Sequence, residues 1–463
     1  MYKILPALLL SSSLFSQSLT VDQSFSQNSY MSEGSKVLTI TELSNHNFFI
    51  GGDFHSYNNT ESNFMAVLNN DGSSFEDFSC SSCLNRSVTA SVAYGNNVLI
   101  GGSFFSFNNT DSRFLVLIDQ YGQLVESFSS SSIFDSSVID AKINKIEVHN
   151  DMIYVCGAFF NSSASNTFYP FFRLLPNGNL DSSFTLDPSL SLKEIFSFTV
   201  QPDGKIILLT KGDGIVRINE DGSLDNSFSN TPFYIQQPHS VSLQDDGKIL
   251  VGGRFVALDQ SLHILLRLNS DGSSDESFDL VNMPYQEITP LVTSIIKVGN
   301  RHIIAGRFTS YNGYDDFICL DDNGFIIDDF NINGVNSHPY FIDEAVINSV
   351  LLTHDNMIMM GGDYGKVGEY LSRSISRLDS SELNISEFEL NKKLHIYTQH
   401  ETTYFNSANH SISSIEFYDI SGRLIDSAIV NSDTYSCILP NNSLILYRIF
   451  LNDGAIVTGK VIR

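Results

Sequence analysis

The sequence predicts an all-β protein: a seven-bladed β-propeller closed by a strand from its own N-terminus, followed by a small C-terminal β-sandwich module. Three observations predict this fold class. A glycine pair followed by an aromatic residue recurs along the chain at steps of 42 to 56 residues. A turn with Gly at its end, Asn-Gly or Asp-Gly in all units but the second, leads to a Phe after each copy but the last, and one such Phe segment stands alone at the N-terminus. A fixed repeat of this length, built from short strands, is typical of propellers.

The glycine marker divides the chain into seven units. Its copies begin at Gly51, Gly101, Cys156, Gly252, Ala305 and Gly361, with a degenerate copy predicted at Thr210. Glycine inside a strand often marks a place where another part of the chain approaches closely. We therefore expect these glycines where a neighbouring unit leaves no space for a side chain.

The second marker closes a four-stranded unit. It ends at Phe78, Phe128, Phe184, Phe228, Phe278 and Phe330. Asn-Gly and Asp-Gly turns suit tight hairpins because these residues tolerate positive φ. In the fifth unit the pattern predicts strands at 239–244, 249–255 and 264–269, and a short fourth strand that ends at Phe278. The runs are rich in β-formers and too short for helices.

The seventh unit has a third strand, predicted at 374–378, but no closing Phe segment. The segment LTVDQSF, residues 19–25, is a fourth strand without the first three. Because a ring must bury its last edge, the simplest arrangement pairs this segment with the seventh unit. The predicted propeller therefore spans residues 19–379.

These markers resemble the delta-60 repeat, a propeller-forming family of bacterial surface and secreted proteins. The resemblance covers residues 19–379, and the fourth unit departs most from the pattern because its glycine pair is degraded. The family has no established activity, so the resemblance implies a fold and little about function.

The N-terminus predicts export. Residues 1–18 have the pattern of a signal peptide, with a basic residue at Lys3, an apolar stretch over 4–10 and small residues at Ser16 and Ser18. No segment reaches the roughly 20 apolar residues that a spanning helix needs. We expect a protein that is secreted, or attached to the outer cell surface, after passage through the periplasm.

After Asp379 the repeat stops. Residues 380–388 are predicted as a linker and 389–463 as a small β-sandwich. The stretch IEFYDISGRLI from Ile415 and the ending GKVIR resemble the sorting domain of type IX secretion, and the matching residues are Asp419, Gly422, Arg423 and Lys460. The usual Pro-Asn-Pro is missing, and a generic sandwich is the alternative. The resemblance implies an export address, removed or used for attachment, with the type IX secretion machinery as partner.

The net charge bears on the possible partners, and the cysteine content bears on disulfide formation. The formal net charge is -26, from 52 acidic and 26 basic residues, and the excess lies in the repeat region. This charge argues against nucleic acid and anionic membrane as partners. Among the five cysteines only Cys80 and Cys83 are close, and they form either a local disulfide or an inert pair. The sequence predicts no cofactor or metal site, although calcium at the Asp-Gly turns stays open.

One face of the predicted ring varies more than the other. The first and third hairpins are short and uniform, whereas the second hairpins and the links between units vary, and the fourth unit's second hairpin has collapsed. Loops on a rigid scaffold often carry binding residues. We expect a ligand on this variable face near the fourth unit, where candidate binding residues are Tyr234, Gln237, His239, Tyr285, Glu287, His338 and Tyr340. The alternative is that these side chains only pack the loops.

No catalytic motif is present: the sequence lacks G-x-S-x-G, H-E-x-x-H and a P-loop. The sequence therefore favours a non-enzymatic module that binds a glycan or a protein. One alternative is a secreted carbohydrate-active hydrolase or lyase that uses carboxylates on the variable face or in the central channel. Most Asp residues recur at the same turn position, however, and a repeated Asp favours a structural role. A structural coat component without a small ligand is a further alternative.

Overall fold

The computed structural model describes residues 19–462 with internal gaps. The gaps are 33, 81–82, 132, 135–137, 162–169, 191, 193, 212, 230–233, 257–261, 279–289, 300, 309–315, 328–331, 333, 337–344, 380–393, 400–401, 408–410, 420–422, 440–443 and 453–455. The predicted signal peptide and the predicted linker lie outside the described residues. The chain divides into its two main compact regions between Leu383 and Asn384.

The repeat region consists of antiparallel three-stranded sheets, one per unit. The first strands are Lys36–Glu42, Val88–Tyr94, Val138–His149, Ile195–Val200, Tyr234–Leu243, Leu291–Val298 and Val346–Leu352. The second strands are Phe48–Asp53, Asn97–Gly102, Met152–Asn161, Ile206–Thr210, Ile249–Val256, Arg301–Arg307 and Ile358–Asp363. The third strands are Met65–Leu68, Leu115–Asp119, Phe171–Leu174, Ile215–Ile218, Leu262–Leu268, Phe317–Asp321 and Ile375–Asp379.

The fourth strand is shorter than predicted. In six units it is a single antiparallel bridge to the end of the third strand, made by Ser74, Leu124, Leu180, Leu224, Ser274 and Ile326. The chain then turns away toward the next unit. In the third to fifth units an Asp carboxylate starts this turn by accepting hydrogen bonds from the backbone N and the hydroxyl of the Ser two residues later, which competes with strand pairing.

The N-terminal segment joins the seventh unit, with one correction. Residues 19–25 were predicted as one strand, but the strand is only Thr20–Val21, paired with Leu378 and Asp379. The helix Gln23–Asn28 follows directly. Asp22 is its N-cap and accepts from Ser24 N at 2.9 Å and Phe25 N at 3.2 Å, so the chain leaves the sheet at this residue. Phe25, in this helix, is fully buried.

First strands of successive units touch around the whole ring. The contacts are Thr39 Oγ1–Ser91 Oγ at 2.8 Å, Thr89 Oγ1–Ile143 O, Asn144 Nδ2–Ile195 O at 2.9 Å, the Phe196 and His239 rings at 5.7 Å, Ser240 Oγ–Ile295 N at 3.0 Å and Thr293 Oγ1–Ile347 O. Asn348 Nδ2 then donates to Val37 O at 3.2 Å. Because this last contact returns to the first unit, the repeat region is a β-propeller, as predicted.

The two marker glycines meet different neighbours. A Cβ on Gly51 would lie 2.6 Å from Val88 Cγ1 of the next unit, which confirms the predicted close approach. A Cβ on Gly52 would instead meet the carbonyl oxygen of Lys36 in its own sheet, beside a β-bulge in the first strand. Both positions exclude a larger residue. At Gly51 the excluding atoms belong to the next unit, whereas at Gly52 they belong to the same sheet.

The fourth unit's degenerate copy lies one residue earlier than predicted. Thr210 pairs with Ile195 beside the first-strand bulge, as Gly52 pairs with Val37. The copy is therefore Leu209-Thr210 and not Thr210-Lys211.

Three units contain a short second hairpin with its own strand pairing. They are Ser56–Tyr57 with Thr60–Glu61, Ser106–Phe107 with Thr110–Asp111, and Lys366–Val367 with Tyr370–Leu371, the last extended by Val335–Asn336. Each hairpin pairs with the preceding link, as Tyr57 does with Met31 and Phe107 with Leu84. Tyr57, Phe107 and Val367 in these hairpins are buried, so these three side chains belong to the core.

The C-terminal module is a β-sandwich, as predicted. One sheet contains Leu394–Gln399, Thr402–Ser407 and Thr434–Cys437, and the other contains Leu424–Ser432, Ile412–Tyr418, Leu444–Leu451 and Ile456–Ile462. Phe405 of the first sheet packs against Phe417 and Tyr447 of the second, with ring centroids 5.5 and 5.6 Å apart. This contact closes the core between the two sheets.

Two open sequence questions receive direct answers. Cys80 and Cys83 form a disulfide with their Cα atoms 5.3 Å apart. In the described part of the chain, no helix is long and apolar enough to cross a membrane.

Candidate functional site

A bulge interrupts the first strand beside the marker glycines in the described registers. The bulged residues at this position are Leu38, Thr89, Asn144, Phe196, His239 and Asn348. Thr89, Asn144 and Asn348 each donate a hydrogen bond to a backbone carbonyl of the next unit. The polar bulges therefore serve mainly to join units.

Units one, four and five lack a polar bulge. Unit one has Leu38, whereas units four and five have Phe196 and His239, whose rings lie 5.7 Å apart while both side chains stay half-exposed. Charged and amide side chains surround them. We name Lys142, Glu194, Phe196, Gln237 and His239 the mouth patch. It combines two adjacent rings with a carboxylate, an amine and an amide.

Burial controls the protonation of the mouth patch. Desolvation lowers the pKa of His239 to about 4, and the positive charge of Lys142 lowers it further, while Glu194 opposes the shift. His239 is therefore neutral near pH 7, so its ring presents an apolar face with one donor and one acceptor nitrogen.

The fourth unit's second hairpin is a tight turn beside this patch. Thr210 N and Thr210 Oγ1 both bond to Gly214 O at 2.9 Å, and Lys211 Nζ lies 3.4 Å from Glu194 Oε2. The predicted shortening of this loop is confirmed. Lys211 adds a second amine next to the mouth patch.

The sequence-predicted binding residues are only partly brought together. Gln237 and His239 lie two positions apart in the same first strand, and Gln237 is exposed. The backbone of Tyr234 starts this strand opposite Val256. Tyr285, Glu287, His338 and Tyr340 lie outside the described residues, so their role stays a prediction. Sequence reasoning missed Phe196, Lys142 and Glu194, which come from neighbouring units.

The opposite ends of the units carry a second motif that sequence reasoning missed. We name it the Arg–Asp clamp. The guanidinium of Arg173, Arg217 or Arg267 bonds through Nε to the Asp eight residues later (Asp181, Asp225, Asp275), each at 2.7 Å. Arg377 makes the same pair with Asp22 at 2.9 Å. A constant spacing of eight residues was the available sequence signal.

Each clamp has two further contacts. The arginine Cζ lies 4.6–5.0 Å from the ring centroid of the closing Phe, and its Nη1 donates to a backbone carbonyl in the next unit. These acceptors are the carbonyls of Glu220, Ser270, Asp322 and Asn70. One side chain therefore ties a strand, a turn and a neighbouring unit together.

The clamps set the ionisation of their carboxylates. Burial alone would raise the pKa of Asp275, but hydrogen bonds from Ser277 and the Arg267 guanidinium outweigh it and lower the pKa to about 2. The same balance lowers the pKa of Asp181 and Asp225, and it lowers that of Asp22 through Ser24 and Arg377. Clamped carboxylates remain ionised in mildly acidic solution.

The other repeated carboxylates are also engaged. Asp71, Asp221 and Asp271 at the third hairpins each accept hydrogen bonds from the backbone N and hydroxyl of the Ser two residues later. Each of these repeated carboxylates therefore uses one oxygen, Oδ1, within the turn itself.

The predicted sorting residues lie in the second compact region. Asp419 and Arg423 close a hairpin, with Asp419 N donating to Arg423 O and Arg423 Nε to Asp419 Oδ2, both at 3.0 Å. Lys460 lies in the last strand opposite Leu446. Gly422 lies outside the described residues.

Two family models match parts of the chain. A model described as a domain of unknown function, DUF5122 beta-propeller, matches residues 150–184, 201–228 and 244–278, which are the clamped third to fifth units. A second domain of unknown function, DUF8694, matches residues 383–463. The first match supports the propeller fold directly. No curated protein matches this sequence.

Solved structures give distant similarities. PorZ, a surface component of the type-IX secretion system of Porphyromonas gingivalis, is 12% identical with a TM-score of 0.44, over 94% of this chain and 60% of PorZ. The WD40 propeller of Doa1 is 10% identical with a TM-score of 0.39, over 76% and 94%. The extracellular domain of BT4673 from B. thetaiotaomicron is 11% identical with a TM-score of 0.34, over 99% and 75%. At these scores the similarities carry no inference about function.

Proposed function

We propose that this chain is an exported, non-enzymatic binding module: a closed seven-bladed propeller that binds a protein or glycan at the mouth patch. One observation carries the proposal. At units four and five the bulge positions, which in units two, three and seven donate to the next unit's backbone, carry two half-exposed rings with centroids 5.7 Å apart, Phe196 and His239. Adjacent rings with a few polar groups around them are the usual composition of a recognition site.

The surroundings of the rings favour a neutral, polar ligand surface. Glu194, Lys142 and Lys211 bring both signs of charge to the patch, and Gln237 adds an amide. Sugar rings and protein side chains both offer an apolar face edged by hydrogen-bonding groups, which is what this arrangement complements. The exposed acidic surface of the remaining ring keeps the molecule soluble after export.

A glycan array probed with the full chain tests the proposal, followed by calorimetry on the tightest ligand. The double variant Phe196→Ala/His239→Ala should weaken binding at least about tenfold, as expected when central aromatic contacts are lost. His55→Ala is the matched control, because His55 is an exposed histidine of the first unit. Equal affinity of the double variant and the parent chain would contradict a site at the mouth patch.

The same ligand decides between binding and catalysis. Incubation of the parent chain with any glycan bound on the array should leave that glycan intact. If the array is blank, surface proteins cross-linked to the parent chain on the producing cell should be lost in the double variant. No observation favours the hydrolase or lyase alternative, because the repeated carboxylates are engaged in turns and clamps.

We further propose that the C-terminal module is the address for type IX secretion, with that machinery as its partner. The motif residues Asp419 and Arg423 support this proposal, since they shape one hairpin at the edge of the sandwich. Deletion of residues 389–463 should abolish display on the outer surface. Unchanged surface display of the truncated chain would refute the proposal.

A further inference from the structure

Three metal-ligating side chains meet where the last unit joins the first. Glu42 ends the first strand of unit one, and His46 lies in the hairpin that follows. His354 lies in the corresponding hairpin of unit seven, 312 residues from Glu42 in sequence. Both are first hairpins of their units, which belong to the short and uniform hairpins of the sequence.

The three side chains point at one another. His46 Nδ1 is 3.1 Å from Glu42 Oε1, and His354 Nδ1 contacts the same oxygen. His354 N donates to Glu42 Oε2 at 3.0 Å, which fixes the carboxylate. The two imidazoles stack with centroids 3.6 Å apart and an interplanar angle of 25°. One ligand atom of each residue lies within 4.8 Å of the others.

The repeat itself does not require these residue types. Glu42 pairs with Phe48 at the end of the first strand, and the corresponding residues of units two to five and seven are all apolar: Ala93, Val148, Val200, Leu243 and Leu352. His46 has a φ of 63°, at a hairpin position that Gly204 and Gly247 occupy in units four and five. Histidine tolerates this region less well than glycine.

The seam between units five and six offers an internal comparison. There Asp245 in the hairpin of unit five pairs with Lys297 near the end of the next first strand. An ordinary ion pair is therefore enough to join a hairpin to the neighbouring first strand. The seam between units seven and one instead has two imidazoles against one carboxylate, which as a group has the composition of a metal site.

We propose that Glu42, His46 and His354 bind one divalent transition-metal ion of the Zn²⁺ class. Two imidazole nitrogens and a carboxylate match the ligand preference of Zn²⁺, whereas Ca²⁺ and Mg²⁺ prefer all-oxygen sites. Water completes the coordination shell, because both histidines are exposed. A metal here clips together two parts of the chain that only the ring brings into contact, which is where a clip stabilises most.

Cobalt binding to the tag-free full chain tests the site. Co²⁺ should produce visible d–d absorption bands that saturate at one equivalent, and one equivalent of Zn²⁺ should displace them. His354→Ala and His46→Ala should each weaken Co²⁺ binding at least about tenfold. His55→Ala is the control and should bind like the parent chain. Zn²⁺ should also raise the Tm of the parent and of His55→Ala, but not that of His354→Ala.

Two further measurements distinguish loss of metal binding from loss of folding. Near-UV circular dichroism without metal establishes that each variant is folded, and Glu42→Gln provides a nearly isosteric second test of the carboxylate ligand. Absence of d–d bands in the parent chain, or equal Co²⁺ affinity in parent, His354→Ala and Glu42→Gln, would overturn the proposal. Neither result depends on the mouth patch, so failure here leaves the proposed binding function untouched.

Discussion

Units three, four, five and seven differ from units one, two and six in how they hold the same turn. The first group carries the Arg–Asp clamp. The second group has an apolar pair at the same two positions, namely Val67 with Phe75, Leu117 with Val125, and Cys319 with Ile327. In every unit the backbone N of the second residue donates to the carbonyl of the first, at 2.8–3.0 Å. Backbone geometry is thus constant while the side-chain chemistry changes completely.

The difference shows what the ionic version adds. An apolar pair reaches the next unit only through packing, as Phe75 does with the Tyr121 ring at 6.3 Å, whereas the arginine also donates to a backbone carbonyl there, as Arg217 does to Ser270 O at 2.6 Å. The same contact is present at the junction of units seven and one, which no direct chain connection joins. Arg377 binds Asp22 from the other end of the protein and also the carbonyl of Asn70 in unit one. The clamp therefore contributes to closure as well as to local turns.

The largest effect should come from breaking one clamp. Arg267→Ala removes a side chain that is only 3% exposed and leaves Asp275 as a buried charge without its main partner. Breaking a buried pair in this way costs about 3–5 kcal/mol in the free energy of unfolding. Urea denaturation of the propeller region measures the loss.

Arg86→Ala, just before the first strand of unit two, is the control for this experiment. Arg86 lies 3.8 Å from Asp140, and the two side chains are 52% and 57% exposed, so we expect a cost of at most about 1 kcal/mol. Similar losses in the two variants would show that the clamp is no stronger than a surface ion pair.

A smaller effect should follow when one clamp is converted into an apolar pair. Arg173→Leu/Asp181→Val copies Leu117 and Val125 of unit two into unit three. Each single substitution leaves an uncompensated buried partner, but the double variant does not, so it should recover about 0.5–3 kcal/mol relative to additivity. A double-mutant cycle in urea measures this coupling, and strict additivity would mean that the two groups of units are not interchangeable.

The repeat made much of the fold predictable. Glycine pairs and Asp-Gly turns depend on close packing and positive φ, which are local requirements, so strands, hairpins and the N-terminal closing segment followed from them. The helix at Gln23–Asn28 was missed because its signal is one capping residue, Asp22, inside an otherwise β-like segment. The fourth unit's register was misplaced by one residue because Thr210 fills the position of a glycine.

The sites were less predictable because they assemble across units. Gln237 and His239 were accessible to sequence reasoning as polar residues in a variable link, but the ring of Phe196, 43 positions away, lies 5.7 Å from that of His239 in a tilted arrangement. The group of Glu42, His46 and His354 joins residues up to 312 positions apart, and its histidines are single residues in ordinary turns. No spacing rule connects such residues until the ring closes.

The third prediction uses acid to compare the clamped and apolar designs, and its expected effect is the smallest. The pKa of Asp275 is lowered to about 2, and those of Asp181, Asp225 and Asp22 are lowered too. A carboxylate with a lowered folded-state pKa stabilises the fold above its unfolded value of about 3.9. That stability is lost as the pH falls through the folded-state pKa, here between about pH 4 and pH 2 for Asp275.

Arg173→Leu/Asp181→Val lacks one of these carboxylates. Its free energy of unfolding should therefore fall less steeply with acid than that of the parent chain, by up to about 1.4 kcal/mol per pH unit for one proton. Urea denaturation at intervals between pH 5 and pH 2 gives both slopes. If the slopes coincide, Asp181 is not an acid-sensitive element of the propeller, and the clamped units owe their stability to packing in the same way as units one, two and six.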